Sequence, residues 1–166
     1  MNLDYIFRRR SIRKYTDKPV TDRQIKYILE AAMAAPSAHN FKPWRFIVIR
    51  DRETLDRIAQ VHPHARMLVQ APLGIVICGD ISISPKRWDQ DCAAATENIL
   101  LALPELGLGG VWIGYHPLKD EEDILKNVVP VPDNIRIFSL VAIGHAAEKK
   151  ISRSQYEDKN VHYETW

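Results

Sequence analysis

Residues 73–79, Leu-Gly-Ile-Val-Ile-Cys-Gly, form a continuous apolar run near the middle of the chain. A short apolar run without polar alternation is typical of a strand that is buried on both faces of a sheet. Such a strand needs a layer of helices or strands against each of its two faces. With 46% hydrophobic and 27% charged residues, the chain has the composition of a globular protein rather than a disordered one.

Helical and strand patterns alternate around this run. Strands are predicted over 46–49, 73–79, 111–114 and 136–143, and helices over 2–10, from Thr21 to Pro36, and over 52–61, 88–106 and 120–128. This order predicts an α+β fold, an α/β sandwich in which helices flank a central mixed β-sheet. A length of 166 residues indicates one domain, 1–166, with a polar C-terminal arm over 145–166.

The sequence lacks the signatures of two common nucleotide-binding folds. The chain opens with two helices, and Gly107-Leu-Gly109-Gly110 follows a helix and leads into a strand. A dinucleotide fingerprint needs the reverse order, because its phosphate meets a helix N-terminus. The chain also lacks a GxxxxGK[ST] phosphate loop.

Pro104 lies inside the long helical stretch of residues 88–106. An interior proline removes a backbone hydrogen bond and costs about 3 kcal/mol in a straight helix. We therefore expect a kink or break near residues 101–103.

Several functional classes are disfavoured by composition. The formal charge is only +2, and no apolar run approaches the roughly 18 residues of a membrane span. The first ten residues lack the charge order of a signal peptide. Cys78 and Cys92 lie in apolar stretches without metal spacing, so we expect reduced core cysteines and no metal site. A cytoplasmic protein without membrane or nucleic-acid partners is the expectation.

Basic residues are concentrated near the start of the chain. Residues 1–20 contain six basic and two acidic residues, a charge of +4, whereas the remaining residues carry −2. Within this segment, Arg-Arg-Arg-Ser-Ile-Arg-Lys at 8–14 offers guanidinium forks and a hydroxyl that match a phosphate monoester. A solvated helix end and a nucleic-acid patch remain alternatives, although no second basic region extends the patch.

A turn between the second helix and the first strand also offers ligand groups. Pro36 and Pro43 stiffen residues 35–46, and Ser37 and Asn40 present small polar side chains. A loop of this kind can contribute donors and acceptors to a ligand.

Four ordered motifs, spread over the whole chain, carry a family resemblance. They are RRSIRKY at 9–15, APSAHNFKPWRF at 35–46, GLGGVWIG at 107–114 and AIGHAAE at 142–148. Together they resemble the nitroreductase family of FMN-dependent oxidoreductases. The resemblance implies a nitroreductase-like fold and a homodimer with FMN at the subunit interface. It also suggests that the arm of residues 145–166 wraps the partner subunit.

The resemblance implies cofactor-binding residues from both subunits. Those expected at the phosphate and the adjoining ribityl and pyrimidine groups are Arg9, Arg10, Ser11 and Arg13. Those expected to reach the flavin ring from the other subunit are Pro36, Ser37, Ala38 and Asn40. Arg66 is expected beside flavin N1 and O2, and the backbone of Trp112, Ile113, Gly114 and Tyr115 along the edge that carries N5. The phosphate site is expected to be closed by Gly144, His145 and one basic residue. Of the candidates Lys149, Lys150 and Arg153, we take Arg153.

The implied activity is hydride transfer from NADH or NADPH through flavin N5 to nitroaromatic, quinone or similar acceptors by a ping-pong mechanism. No catalytic acid or base is assigned, since this chemistry does not require one. The same scaffold could instead serve dehalogenation, flavin destruction or enol dehydrogenation, or bind flavin without catalysis. Lys42 stands where the family usually has glutamine, which could alter the preferred acceptor or nicotinamide.

Overall fold

The computed structural model describes residues 3–166 as five α-helices and four β-strands. The helices are α1 (Asp4–Arg8), α2 (Asp22–Met33), α3 (Arg52–Val61), α4 (Trp88–Ala102) and α5 (Lys119–Lys126). The strands are β1 (Trp44–Ile49), β2 (Leu73–Asp80), β3 (Gly109–Gly114) and β4 (Ile135–Gly144). Short 3₁₀ turns occupy Ala38–Asn40, Arg66–Val69, Leu103–Leu106 and Asp158–Asn160. None of the helices in this described part is long and apolar enough to cross a membrane.

The α+β architecture is confirmed, but the prediction that the sheet is mixed, with both parallel and antiparallel neighbours, is wrong. The strand order is β1-β2-β4-β3, and all three neighbouring pairs are antiparallel. The crossover through α4 does make β3 parallel to β2, yet β4 lies between them. A long-range insertion of this kind leaves no mark on local periodicity, so the sequence alone does not reveal it.

Helices cover both faces of the sheet, as the apolar run at 73–79 requires. All eight residues of β2 are buried. Ile75 and Ile77 pack with α2 and α4, whereas Val76 and Cys78 pack with α3 and α5. Alternate residues of one strand therefore belong to two separate cores, because successive side chains point to opposite faces.

The start of α2 and the end of α4 follow their sequence signals. Thr21 caps α2 in a reciprocal capping box with Gln24. The expected break at Pro104 is confirmed: α4 ends at Ala102 and a 3₁₀ turn continues over Leu103–Leu106. Gly107 then closes this turn with φ of 69°, a left-handed conformation that glycine adopts without a steric penalty.

The two ends of the chain pack less than the rest. Helix α1 is shorter than predicted; Leu3, which precedes it, and Ile6 and Phe7 within it are exposed. Every residue from 151 to 166 is exposed, including Tyr163 and Trp166. The arm therefore contributes no core of its own, in agreement with its polar composition.

Candidate functional site

The basic segment lies against the start of β3 and the residues that follow β4. Ser11 forms a parallel bridge with Gly110, and the Ile12 N–H donates to the Gly110 carbonyl at 3.0 Å. A Cβ on Gly109 would lie 2.6 Å from Cγ1 of Ile12, so only glycine allows this approach. The glycine-rich element thus fixes the basic segment against the sheet.

Tyr15 anchors the other end of this segment. Its hydroxyl lies 2.5 Å from the carbonyl oxygen of Ile12 and 3.1 Å from that of Ala142. Burial raises the pKa of this hydroxyl, which therefore remains a neutral donor. Gly144 has a packing role here, because a Cβ on it would lie 2.7 Å from Pro72 and 2.9 Å from Tyr15.

The arginines of the basic segment make different contacts. Arg8 pairs with Glu105, and Arg9 lies 3.5 Å from Glu97. Burial raises the pKa of the Glu97 carboxyl, and the nearby Arg9 partly opposes that effect. The Arg10 guanidinium donates to the carbonyl of Ile151.

Residues after β4 close over the basic segment. Lys150 Nζ donates to the Ser11 carbonyl at 2.8 Å, and the Arg13 N–H donates to Glu148 Oε1 at 2.5 Å. The hydrogen bond from Arg13 is the main reason that the pKa of Glu148 is lowered. The backbone N–H of Arg153 donates to the carbonyl of Phe7 at 3.2 Å, and its side chain is exposed. Of the three basic residues considered for the phosphate site, Lys150 is the one in contact with Ser11.

We call the cavity that is lined by five of the predicted site residues the principal cavity, although two others, of about 480 and 470 Å³, are slightly larger. The principal cavity has a volume of about 430 Å³ and joins residues from distant parts of the chain. Its walls combine two arginines, two histidines and the end of β3, and they are Arg13, His62, Pro63, His64, Arg66, Met67, Val111, Trp112, Ile113 and Gly114. Among residues 3–166, neither Arg13 nor Arg66 forms an ion pair. Both guanidinium groups are therefore available to an anionic or electron-rich ligand.

Five predicted site residues meet in this cavity, namely Arg13, Arg66, Trp112, Ile113 and Gly114. Gly114 is exposed, and a Cβ on it would approach only Trp112 Nε1, at 3.8 Å. Arg10 does not join them. It lines a second cavity of about 230 Å³ with Arg8, Lys149 and Lys150.

The turn after α2 lies elsewhere on the same subunit. Ala38, His39 and Phe41 line a cavity of about 360 Å³ with residues 84–87. The Ala38 N–H donates to Asp91 Oδ1 at 2.8 Å, and the Lys42 N–H donates to Ser37 Oγ at 3.0 Å.

This turn is also strained. His39, Asn40 and Lys42 adopt left-handed φ values of 50°, 56° and 53°. Such conformations cost about 1–3 kcal/mol each in non-glycine residues and cluster at ligand-binding segments. The cavity lined by this turn does not include Arg13, and the principal cavity, which Arg13 lines, includes no residue of this turn.

Sequence reasoning missed the histidines that form one wall of the principal cavity. His62 is almost fully buried, and its Nε2 lies 2.8 Å from Glu121 Oε2. His64 and Met67 line the same wall. The run His62-Pro-His64-Ala-Arg66 places both histidines within four residues of the predicted arginine, and this proximity was the available signal.

Comparison with known proteins gives consistent matches over the chain. A model of the nitroreductase family matches residues 6–72 and 64–145. A protein of Methanothermobacter thermautotrophicus, provisionally named NADH dehydrogenase/NAD(P)H nitroreductase, is 43% identical over 166 residues, covering 99% of this chain and 87% of that protein. An FMN-dependent nitroreductase of Clostridium difficile is 31% identical with a TM-score of 0.92, covering 99% of each chain. A provisionally named nitroreductase of Desulfovibrio desulfuricans, in complex with FMN, is 32% identical with a TM-score of 0.87, covering 99% of this chain and 96% of that one.

Proposed function

This chain belongs to the nitroreductase family, and we propose that it passes electrons from NADH or NADPH to nitroaromatic, quinone or similar acceptors in a ping-pong cycle. It is an FMN-dependent NAD(P)H oxidoreductase. The acceptor classes and the ping-pong order are proposed from the family scaffold and not from a particular contact in the cavity.

The observation that carries the proposal is the principal cavity. Its volume of about 430 Å³ falls within the range of about 300–1,000 Å³ typical of small-molecule sites. FMN has an anionic phosphate and a flat, largely apolar ring. The cavity offers the unpaired guanidinium groups of Arg13 and Arg66 beside apolar walls from Val111, Trp112 and Ile113. These residues fit the cofactor in both charge and polarity.

We assign the phosphate and ribityl groups to Arg9, Ser11 and Arg13, with Lys150 beside them. In a fully extended segment, alternate side chains point the same way, which would place these three on one side of the chain. Of the three, Arg13 lines the principal cavity, whereas Arg9 lies 3.5 Å from Glu97. Lys150 Nζ lies 2.8 Å from the Ser11 carbonyl and 3.5 Å from Glu148 Oε2, which brings another cation, paired with Glu148, to this position. Arg10 would then act by holding the carbonyl of Ile151 and so fixing this part of the arm.

When bound, FMN supplies the redox chemistry by taking a hydride at N5 from the nicotinamide and passing electrons to the acceptor. The Arg66 guanidinium would stabilise the negative charge that builds up near N1 and O2 on reduction. Gly114 leaves the end of β3 open, because its lack of a side chain lets a flat ring approach the backbone. No side chain of the cavity is assigned as a catalytic acid or base.

A homodimer would complete the site. The strained turn with Pro36, Ser37, Ala38 and Asn40 lies away from the principal cavity of its own subunit, as expected if it serves the partner's cavity. Tyr163 and Trp166 are also exposed, the latter completely. Exposed aromatic rings at a chain end are commonly buried by association, so we propose that the arm packs on the partner subunit.

The test is spectroscopic and kinetic. Purified protein should be yellow, hold one FMN per subunit, sediment as a dimer, and oxidise NADH or NADPH with nitrofurazone or menadione as acceptor. Colourless protein that gains no flavin on reconstitution would refute the proposal. Flavin-bound protein that fails to oxidise either nicotinamide would leave only a flavin-binding role.

A matched pair of variants separates cofactor binding from general charge. Arg13→Ala removes a guanidinium from the cavity, and we expect a loss of FMN affinity of about tenfold or more, since hydrogen bonds to charged groups contribute about 1.5–3 kcal/mol. Lys14→Ala removes an adjacent exposed cation that does not line the cavity, and FMN affinity should change little. Equal losses in both variants would indicate a diffuse electrostatic effect instead.

A further inference from the structure

His62 is 2% exposed, yet its ring forms part of the wall of the principal cavity. Its Nδ1 accepts a hydrogen bond from the His64 N–H at 3.3 Å, and its Nε2 lies 2.8 Å from Glu121 Oε2. Since an accepting Nδ1 carries no proton, these partners assign the neutral tautomer with the proton on Nε2. The ring therefore donates to the Glu121 carboxylate on α5.

The backbone of His62 organises the turn that leads to Arg66. Its N–H donates to the Ile58 carbonyl at 3.1 Å, and its carbonyl accepts from the Ala65 N–H at 3.1 Å. Ala65 is fully buried, and its carbonyl accepts from the Leu68 N–H at 2.9 Å. Side chain and backbone of one residue thus fix residues 62–65 immediately before the cavity arginine.

A third element holds the same ring. Tyr115, fully buried just after β3, packs its ring 4.7 Å from that of His62. Since β3 supplies Trp112, Ile113 and Gly114 to the cavity, His62 links both sides of the site. Its contacts reach α3, α5 and the end of β3.

Arg66 has no comparable support of its own. It is exposed and forms no ion pair with any residue in the part of the chain that the structure describes. A long, unpaired arginine loses side-chain entropy when it is held in one place, so the position of its backbone decides how often it reaches a ligand.

We propose that His62, oriented by Glu121, is a positioning residue that fixes the 62–65 turn and so holds the Arg66 guanidinium at the pyrimidine edge of the flavin. The inference rests on the proposed cofactor site. A fixed cation binds the more negative, reduced cofactor better than the oxidised one, because electrostatic stabilisation is strongest when its groups are preorganised. The pair therefore raises the reduction potential of the bound FMN.

The test compares the midpoint potential of bound FMN, its Kd and the Tm of the holoprotein in a set of variants. Arg66→Ala gives the reference loss. We expect His62→Phe and Glu121→Ala to lower the preference for reduced over oxidised FMN by about fivefold, which is about 20 mV for a two-electron couple. Glu121→Gln retains an oxygen that accepts from Nε2–H and should stay near the wild-type potential.

A double variant tests whether His62 acts by positioning Arg66, because the two potential shifts should then not add. If His62 acts through Arg66, the His62→Phe/Arg66→Ala double variant should have the potential of Arg66→Ala alone. Additive losses, or a wild-type potential in both His62→Phe and Glu121→Ala, would overturn the inference, as would an unshifted potential in Arg66→Ala. Glu121 is partly exposed, so Glu121→Ala provides the answer even where His62→Phe fails to fold. Wild-type protein that binds no FMN would instead refute the proposed function.

Discussion

Replacing Glu122 with glutamine should destabilise the fold in a pH-dependent manner. Glu122 is 1% exposed and joins α5 to β4. Its carboxylate accepts from Arg136 Nε at 2.9 Å and Nη2 at 2.6 Å, from the Ile137 N–H at 3.0 Å and from Lys126 Nζ at 2.9 Å. Burial disfavours the charged form, but these hydrogen bonds outweigh burial and hold its pKa at about 2 instead of 4.5.

The lowered pKa of Glu122 sets the size of the effect. At about 1.36 kcal/mol for each unit of pKa shift, this difference corresponds to about 3 kcal/mol of unfolding free energy at pH 7. Because the pKa is lower in the folded state than in the unfolded state, this stabilisation is complete well above pH 4.5. It is lost progressively as the pH falls towards 2, and about 2 kcal/mol remains at pH 3.5.

We therefore expect Glu122→Gln to lower the unfolding free energy by about 3 kcal/mol at pH 7, leaving Arg136 and Lys126 without a charged partner. The difference in unfolding free energy between variant and wild type should narrow by about 1 kcal/mol at pH 3.5. Urea unfolding of FMN-saturated wild type and variant at both pH values, followed by far-UV circular dichroism, measures this difference in unfolding free energy.

The control is Glu53→Gln, which changes an exposed carboxylate and should stay within about 0.5 kcal/mol of wild type. A gap between wild type and Glu122→Gln that is the same at pH 7 and pH 3.5 would refute the reasoning, because the lost stability would then not come from the ionised carboxylate.

Four further perturbations test the site and the assembly. Gly109→Ala places a methyl group 2.6 Å from Ile12 Cγ1, so we expect about 1–3 kcal/mol of destabilisation and weaker FMN binding. Gly114→Ala, whose Cβ meets nothing closer than 3.8 Å, should keep the wild-type Tm, and equal Tm losses in the two variants would contradict the packing argument. Lys42→Gln removes an exposed cation and should raise the KM for NADPH by about 2–5-fold more than the KM for NADH, because an exposed charge contributes up to about 1 kcal/mol. Identical KM changes for both nicotinamides would contradict a role of Lys42 in nicotinamide preference. Deleting residues 151–166 should convert a dimer into a monomer in sedimentation velocity, and an unchanged dimer would show that the arm is not needed for association.

Local patterns predicted the elements and part of the site. The apolar period over 52–61 gave the bounds of α3, and the capping pair Thr21 and Gln24 marked the start of α2. These features depend on residues at most four positions apart, so the sequence displays them directly. The family resemblance assigns Arg13 and Arg66 to one cofactor site, and both line one cavity in the structure.

Where the prediction missed, the cause was a change in local conformation or a long-range contact. The helix predicted over 2–10 ends at Arg8, and the chain is no longer helical through Arg10. Arg10 therefore faces the carbonyl of Ile151, away from the cavity that Arg13 lines. The sheet order depends on β4 inserting between β2 and β3, a pairing of residues some 60 positions apart along the chain for β2 and β4.

The sequence by itself determined that this is a layered α+β chain with a strand buried on both faces, and that its charge is concentrated beside Ser11. Burial and periodicity depend on residues that are neighbours in the sequence, and each of the four motifs is one continuous stretch. Only the tertiary structure decided which arginines share a cavity and that His62 and Glu121 support it. It also decided that the turn at residues 36–40 lies apart from the principal cavity of its own subunit. Those relations depend on how distant segments pack, because side-chain direction and neighbourhood are fixed only when the whole core closes.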